Sequence, residues 1–180
     1  MNMIQSVDQQ ITLETERLTL RPARTSDAGL IGLYANDIRV SGPTRSIPNP
    51  LPPGAAEAFI EKAQKLDRIE DVWVIDGTKI DLPEVIGVLG LEAYDRGQSR
   101  LGYWLAPTFW LQGFAREAVT AILDANPQDN TTIFAEVFQD NPRSAKLLTD
   151  QGFAYIGEAE SYCVARHNTM DTWTYSKRLK

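Results

Sequence analysis

The sequence predicts an α/β domain built on one mixed β-sheet with helices on its faces. The first observation is the order of the segments, which runs strand, two helices, three strands, helix, strand, helix and two strands. The second is that the strands near 99–106 and 132–138 are joined through a helix, which predicts a right-handed crossover and a parallel pair. No internal repeat or second domain is visible, so we expect a single domain over residues 1–180.

Composition narrows the function classes before any motif is considered. The net charge of −6 comes with no block of Lys or Arg, which argues against a nucleic-acid partner. A single cysteine, Cys163, excludes an intrachain disulfide and a thiolate metal site, and its strand-like neighbours predict a buried thiol. No apolar run approaches the ~20 residues that span a bilayer. Residues 1–10 are polar and predict a flexible segment without a signal peptide. We therefore expect a cytoplasmic protein with no metal and no membrane partner.

The first third of the chain predicts one strand and two helices around a proline-rich loop. Residues 17–21 alternate between polar and apolar side chains, as a strand does. Ser26 is the predicted N-cap of a helix over about 26–36. Five of the ten prolines fall in 42–54, which predicts an irregular loop, with a proline-rich docking peptide as the alternative. A second helix is predicted over 55–66.

The middle of the chain predicts three strands. Residues 72–75 are apolar and rich in β-branched and aromatic side chains, and an Asp-Gly turn follows them. Residues 85–94 and 99–106 flank the turn residues 95–97, so these two segments predict an antiparallel hairpin. Pro107 ends the second strand of that hairpin.

The last third predicts two helices and three strands. A helix over 112–126 carries an apolar stripe at helical spacing. Asn141 and Pro142 mark the start of the next helix as its cap and first helical residue, and Gly152 marks its end. The three predicted strands are 132–138, 153–164 and 171–177, the last two around a turn at His167 and Asn168.

The run 102–119 is the strongest functional signal in the sequence, because it joins an apolar strand, a proline stop and a glycine-containing helix start. Such a helix start presents unpaired backbone N–H groups, and the helix dipole favours an anion there. If Pro107 keeps its strand from pairing to the end, that strand separates from 132–138 and leaves a slot for an extended ligand. The amides of 111–115 would then lie at the end of the slot. Gly113 permits close approach of a phosphate; the alternative is that Gly113 only ends a loop.

Three segments of the sequence, taken in their order along the chain, resemble a known family. They are 14–22 (Glu-Thr-Glu-Arg-Leu-Thr-Leu-Arg-Pro), 102–118, and 141–153, which begins Asn-Pro-Arg-Ser-Ala and ends Gln-Gly-Phe. In sequence and order they resemble the GNAT acyltransferase superfamily, in the branch that resembles ribosomal-protein N-terminal acetyltransferases. The resemblance spans most of the chain. It implies a mostly antiparallel twisted sheet with a central splayed parallel strand pair, and acetyl-CoA as the acyl donor.

The resemblance also implies which residues bind the pyrophosphate of acetyl-CoA. They form the Gly-x-Ala loop and act mainly through their backbone: Leu111, Gln112, Gly113, Phe114 and Ala115. Three cations nearby, Arg116, Arg143 and Lys146, are either partners for CoA phosphates or solvated surface charges.

The rest of the donor site is predicted on either side of the slot. The resemblance implies that Asn141, while capping its helix, lies close to the pantetheine arm. It also implies that Ser144 protonates the leaving thiolate; many relatives have a tyrosine near this point. Strand amides around Leu105 would polarise the thioester carbonyl.

Acylation of an amine requires a group that takes a proton, because free amines are mostly protonated at pH 7. Glu92, in the strand beside the slot, is the first candidate base, and Tyr94 and Tyr103 are alternatives. Glu92 could equally be a solvent-facing strand residue. Relatives often carry an acidic residue two positions before the Gly-Tyr pair, where this chain has Arg100. Glu117 is interpreted as compensating the helix dipole.

These observations predict an acetyl-CoA-dependent N-acyltransferase that moves an acetyl group directly to a primary amine, on a protein N-terminus or a small molecule. The alternative on the same fold is a non-catalytic acyl-CoA-binding or sensor module. We expect a monomer or a homodimer. The single histidine, His167, is expected in a surface turn. With Tyr162, Trp173 and the loop 42–54, it is a candidate for shaping the acceptor pocket.

Overall fold

The computed structural model describes residues 10–180. In this part of the chain the strands are β1 (Leu13–Glu14), β2 (Thr19–Pro22), β3 (Glu70–Asp76), β4 (Gly87–Tyr94), β5 (Gln98–Leu105), β6 (Thr132–Phe138), β7 (Ala154–Cys163) and β8 (Asn168–Arg178). The helices are α1 (Ala28–Ala35), α2 (Ile38–Ser41), α3 (Ala55–Ala63), α4 (Phe114–Ala125) and α5 (Pro142–Asp150). The flexible segment predicted over 1–10 falls on residues 1–9, outside the described residues. Gln10 itself donates to the carbonyl oxygen of Val72 at 2.7 Å.

All eight strands form one sheet in the order β1-β2-β3-β4-β5-β6-β8-β7. Neighbouring strands are antiparallel except β5 and β6, which are parallel and joined through α4. The predicted fold class is confirmed: a mixed, mostly antiparallel sheet with a central parallel pair, flanked by helices.

The parallel pair β5–β6 separates part-way along its length. Pairing begins at Gln98 with Thr132 and ends at Leu101 with Ala135, so residues 102–105 have no partner on the β6 side among the described residues. The predicted splay is therefore present, but Pro107 lies beyond the point where it starts. The separation arises because β5 stays paired with β4 as far as Leu105, while β6 stays paired with β8 along its whole length.

Each face of the sheet packs against its own helices. On one face, α4 and α5 bury their apolar stripes against the central strands; examples are Ala118, Ile122 and Leu148. On the other face, α1 and α3 pack on β3 and β4 through residues such as Ile31 and Ile60. Because the β5–β6 gap opens between these two layers, it connects the helix starts of one face with the strands of the other.

Several local predictions were incomplete. The short elements β1 and α2 were not predicted, because two and four residues are too few for a periodic pattern. Ser26 does not cap the first helix; it is exposed in a 3-10 turn, Thr25–Asp27, that precedes α1. In that turn Asp27 points inward and accepts from the backbone N–H of Arg24 at 2.7 Å. The turn expected at His167 and Asn168 occupies residues 164–167, since β8 already begins at Asn168.

A buried group of three charges ties the first strands to the first helix. The Arg21 guanidinium donates to both carboxylate oxygens of Asp27, at 2.8 and 2.9 Å, and to Asp76 at 2.8 Å. All three residues are buried. One cation thus stabilises two carboxylates that desolvation would otherwise make costly. No helix in residues 10–180 is long and apolar enough to cross a membrane.

Replacing Arg21 with Met is expected to destabilise the protein strongly, because two buried carboxylates lose their cation at once. The expected loss in free energy of unfolding is about 3–5 kcal/mol, measured by urea denaturation at pH 7. The matched control is Arg39→Met, since the Arg39–Asp37 pair is largely exposed and its removal should leave the free energy almost unchanged. Similar losses in both variants would contradict the structural role assigned to Arg21.

Candidate functional site

A cavity of about 870 Å³ follows the gap between β5 and β6. Its wall contains the starts of α4 and α5 on one face of the sheet, and residues of β3, β4 and the loop 43–47 on the other. The hydroxyl of Thr172 in this wall is buried and has no hydrogen-bond partner in the part of the chain that the structure describes. The cavity therefore offers polar groups to a ligand from several elements.

The start of α4 presents unpaired backbone donors to the cavity. Gly113 adopts a φ of +81° and stands at the N-cap, where no side chain accepts a hydrogen bond from the first turn. The first intrahelical bond runs from Glu117 N to Gly113 O at 3.0 Å, which leaves the N–H groups of 114–116 without helical acceptors. Leu111 also has a positive φ and is 84% exposed. This loop has the geometry of an anion site.

Arg17 adds a positive charge beside this loop. Its guanidinium donates to the Gln112 carbonyl oxygen at 3.0 Å, lies 4.5 Å from the centre of the Phe114 ring, and pairs with Glu117 at 2.7 Å. Sequence reasoning placed Arg17 in a strand and gave it no role in the site. Only the tertiary contact between the β1–β2 region and α4 reveals it.

Glu117 holds the loop and the first strands together, which goes beyond the helix-dipole role expected for it. Its carboxylate accepts from Thr15 Oγ1 at 2.6 Å and from the backbone N–H of Arg17 at 2.8 Å, in addition to the Arg17 side chain. Burial acts to raise the pKa of Glu117, but these hydrogen bonds and the Arg17 charge hold the pKa below its usual value. The ionised carboxylate is thus the form that stabilises the fold.

The start of α5 brings two hydroxyl groups together at the cavity wall. Asn141 caps the helix by accepting from the Ser144 backbone N–H at 3.3 Å. The Ser144 hydroxyl lies 2.7 Å from the Tyr103 hydroxyl, which reaches it from β5. Burial raises the pKa of Tyr103 to about 12, and the Ser144 hydrogen bond opposes this rise. At neutral pH Tyr103 therefore keeps its proton, which fits a hydrogen-bond donor and not the alternative role of base.

The other residues predicted to bind acetyl-CoA line the cavity. Leu105 is buried at its edge and its carbonyl accepts from Trp110 Nε1 at 2.8 Å. Arg143 lies 5.1 Å from the centre of the Trp110 ring. Arg116 and Lys146 both pair with a single carboxylate, that of Asp150, at 2.6 and 2.9 Å. Hydrogen bonds from Lys146 and then from Arg116 lower the pKa of Asp150.

On the opposite face, three charged residues lie side by side across three strands. Glu70 of β3 is directly opposite Glu92 of β4, which is directly opposite Arg100 of β5. The Arg100 guanidinium forms an ion pair with Glu92, and all three residues line the cavity. Glu92, the first candidate base, is thus at the expected place but already has a cationic partner.

Tyr94, an alternative base, is not in the cavity wall. Its side chain is 48% exposed at the end of β4, beyond the row of charges, and its hydroxyl lies 3.4 Å from Glu92. Burial of the phenol, and then the Glu92 charge, raise the pKa of Tyr94. Neither position nor acidity suits Tyr94 to accept a proton from a ligand in the gap.

Glu70 is a cavity residue that sequence reasoning missed. Within residues 10–180 its carboxylate has no hydrogen bond and no ion pair. Burial, followed by the nearby Glu92 charge, raises the pKa of Glu70. The alternation of side chains along a strand could have indicated its face, because Glu70 is two residues before Val72, the first residue of the predicted strand 72–75. That signal gives the face, but not the neighbours on β4 and β5.

The residues predicted to shape the acceptor pocket do not all lie at the cavity. Residues 43–47 of the proline-rich loop line the cavity, whereas His167, Tyr162 and Trp173 do not. His167 is exposed in the β7–β8 turn with a φ of +52°, and β7 is the outermost strand. Cys163 is buried as predicted, with its sulfur 3.3 Å from the Thr44 carbonyl oxygen. The described residues hold no cluster of three His, Cys, Asp or Glu side chains suited to a metal ion.

Comparison with known proteins decides the family. The family described as "Acetyltransferase (GNAT) domain" matches residues 17–154. The chain belongs to the GNAT acetyltransferase family. This finding confirms the resemblance seen in the sequence.

The similarity to known proteins covers more than nine-tenths of this chain. The uncharacterized N-acetyltransferase YoaA of Bacillus subtilis (strain 168) is 30% identical over 173 residues, covering 91% of this chain and 94% of that protein. The ribosomal-protein-S5-alanine acetyltransferase of Vibrio fischeri has a TM-score of 0.76 at 24% identity, with 95% and 98% of the two chains covered. The spermidine N-acetyltransferase of Vibrio cholerae, solved with CoA and spermine, has a TM-score of 0.77 at 20% identity, with 92% and 97% covered.

Replacing Glu117 with Gln is expected to destabilise the protein in a pH-dependent way. The lost hydrogen bonds to a charged group should lower the free energy of unfolding at pH 7 by roughly 1–3 kcal/mol. Because the folded-state pKa of Glu117 is lowered, its contribution is complete above the unfolded-state pKa of about 4.3 and is lost as pH falls through the folded value.

The measurement is urea denaturation of wild type and Glu117→Gln between pH 3 and pH 7, with Glu14→Gln as control. Glu14 also pairs with a lysine, Lys79, but its side chain is 60% exposed, so its replacement should change little at any pH. A difference between wild type and Glu117→Gln that stays constant through the acid range would show that the charge of Glu117 is irrelevant.

Proposed function

We propose that this protein is an acetyl-CoA-dependent N-acetyltransferase that moves an acetyl group directly to a primary amine. The observation that carries the proposal is the cavity along the β5–β6 gap, which joins a helix start suited to phosphates with hydroxyl and carboxylate groups. Two similar structures carry the names of a ribosomal-protein and a spermidine acetyltransferase. Proteins and small amines are therefore the acceptor classes to test.

The donor end of the proposed site is the loop before α4. The pyrophosphate of acetyl-CoA would accept hydrogen bonds from the backbone of this loop, which consists of Leu111, Gln112, Gly113, Phe114 and Ala115. The Arg17 guanidinium stabilises the loop from behind through the Gln112 carbonyl. Arg143 has no carboxylate partner among the described residues, and is better placed than Arg116 or Lys146 to pair with a phosphate.

The leaving-group end of the proposed site is the pair of hydroxyls at the start of α5. The family resemblance implied that Ser144 protonates the CoA thiolate. The structure places Tyr103 within hydrogen-bond distance of Ser144, and a phenol is a stronger acid than an aliphatic hydroxyl. We assign the proton donor to this pair, with Tyr103 as the donor and Ser144 as the group that orients it. Asn141 holds Ser144 in place through the helix cap.

An amine panel tests the proposed function directly. Thiol release from acetyl-CoA would be followed with polyamines, with monoamines, and with peptides that have free N-termini. The expected result is amine-dependent release, with the acetylated product confirmed by mass spectrometry. Tight CoA binding without turnover of any member would instead indicate the non-catalytic acyl-CoA-binding module.

Replacing Gly113 with Glu is expected to abolish productive CoA binding. The new carboxylate would stand at the phosphate site, and a side chain at a φ of +81° is strained. The Kd for CoA, measured by calorimetry, should rise on the order of 100-fold, which corresponds to about 2.7 kcal/mol.

The matched control for Gly113→Glu is Gly54→Glu. Gly54 is the N-cap of α3 with a φ of +79°, and a side chain there meets open space. Backbone strain and added charge are the same at both positions, whereas only at Gly113 does a Cβ also lie near a cation, 3.3 Å from Arg17 Nη2. If both variants bind CoA as wild type does, the phosphate loop lies elsewhere.

Replacing Tyr103 with Phe is expected to slow the chemical step, because the leaving thiolate loses its proton donor. A loss of ~10²-fold in kcat is expected at pH 7, with an unchanged KM for acetyl-CoA. Tyr155→Phe is the control, since Tyr155 is 54% exposed and outside the cavity wall. A larger loss in Ser144→Ala than in Tyr103→Phe would give the donor role back to Ser144.

A further inference from the structure

Glu70 is a carboxylate held in the cavity wall without a partner. It stands at the first position of β3 and is partly buried, yet its oxygens have no hydrogen bond or ion pair within the described chain. Partly buried carboxylates are usually paired because an isolated charge loses solvation. An unpaired one in a cavity is therefore free to bind a cation from outside the protein.

A glycine on the neighbouring strand, Gly90, leaves room for this carboxylate. A Cβ on Gly90 of β4 would stand 3.2 Å from the carboxyl carbon of Glu70, and closer still to Oε1. Gly90 pairs with Gly102 of β5, where a Cβ would meet nothing within 4 Å. The two glycines form a shallow shelf on the sheet, and the Glu70 carboxyl group lies over its Gly90 side.

The shelf borders the β5–β6 gap. Gly102 is the first residue of β5 after the last pair with β6, Leu101 with Ala135. Adjacent strands lie about 5 Å apart, so the carboxylate over Gly90 is about one strand spacing from the backbone that borders the gap. A nitrogen on the shelf can contact Glu70 on one side and a group in the gap on the other.

Glu70, Glu92 and Arg100 lie side by side across three strands, and Glu70 is the one of the three without an ion-pair partner. Arg100 forms an ion pair with Glu92, so the three side chains together carry one net negative charge, at Glu70. Two cations face Glu70 from the packed elements, Lys62 from α3 and Arg45 from the loop. Neither forms an ion pair with Glu70.

These surroundings also favour proton transfer. Burial and then the Glu92 charge raise the pKa of Glu70, and Lys62 and Arg45 oppose the rise. A raised pKa brings a carboxylate closer to the working pH, where a base is most effective.

We propose that Glu70 is the residue that binds the ammonium group of the acceptor and removes its proton, with the amine lying on the Gly90–Gly102 shelf. This inference rests on the proposed function. Glu70 takes one proton from the ammonium, and the freed nitrogen lone pair forms the C–N bond with the thioester carbon. As the C–S bond breaks, the sulfur takes a proton from Tyr103. The second nitrogen proton restores Tyr103, and Glu70 releases its proton to solvent.

The test compares the pH profiles of kcat/KM for wild type and Glu70→Gln with the best amine of the panel. The wild-type profile should show an acid limb, because the base must be ionised. Glu70→Gln should lose ~10²-fold or more at pH 7 and lose the acid limb, while its Kd for CoA stays unchanged. Glu70→Asp should keep an acid limb at a reduced rate. Glu61→Gln, on the exposed surface of α3, should behave as wild type.

The outcomes separate this inference from the proposed function. If wild type acetylates amines and Glu70→Gln keeps both its rate and its acid limb, Glu70 is not the base. If Glu92→Gln removes the limb and Glu70→Gln does not, the base is Glu92. A wild type that turns over no amine overturns the proposed function and this inference with it.

A stability measurement identifies the unpaired charge independently. A raised pKa in the folded state means that ionisation of Glu70 destabilises the fold. The Tm of Glu70→Gln relative to wild type should therefore increase as pH rises through the unfolded-state pKa towards the folded one, and then stay constant. A constant Tm difference from pH 4 to pH 8 would show that the pKa of Glu70 is not raised in the folded state, which contradicts the inference.

Discussion

The separation of β5 and β6 is the constraint on which the rest of the molecule depends. Each of these strands is fully paired on its outer side, β5 with β4 and β6 with β8. On the inner side, residues 102–105 of β5 and 136–138 of β6 lack a strand partner in the described structure. Backbone N–H and C=O groups must find partners when they are buried. The gap therefore requires water or a ligand with its own donors and acceptors, and the fold remains stable because its outer pairings compensate.

The topology then directs two helix starts at this gap. In a right-handed crossover the helix begins where the preceding strand ends, so α4 starts beyond β5 and α5 starts beyond β6. The carboxyl ends of these parallel strands are the ends that separate. The unpaired N–H groups at the start of α4 and the Tyr103–Ser144 pair consequently meet at one place. The contacts of Arg17 and Glu117 with α4 fix the position of the first helix start.

Features of the fold and the site that depend on a few consecutive residues could be predicted from the sequence, whereas features that depend on tertiary neighbours could not. A positive φ at Gly113 and the helix cap at Asn141 each have a residue signature, and both lie where the sequence placed them. The long strands and helices follow from alternation and spacing. Glu70 was missed because its position in the cavity wall depends on the lateral register of β3, β4 and β5. Ser26 was misassigned because the buried charge of Arg21 draws Asp27 inward instead.

The two ends of the cavity therefore differ in how strictly their functional groups are tied to particular sequence positions. A phosphate bound by backbone groups would need one particular helix start, so the proposed donor end is tied to sequence positions. A carboxylate above a sheet needs only a strand position on the correct face, and equivalent positions recur about 5 Å apart on neighbouring strands. Arg100 leaves no acid at its position on β5, but an acidic group on β3 can reach the same gap if Gly90 leaves it room. The proposed acceptor end can be inferred only from strand register and side-chain packing.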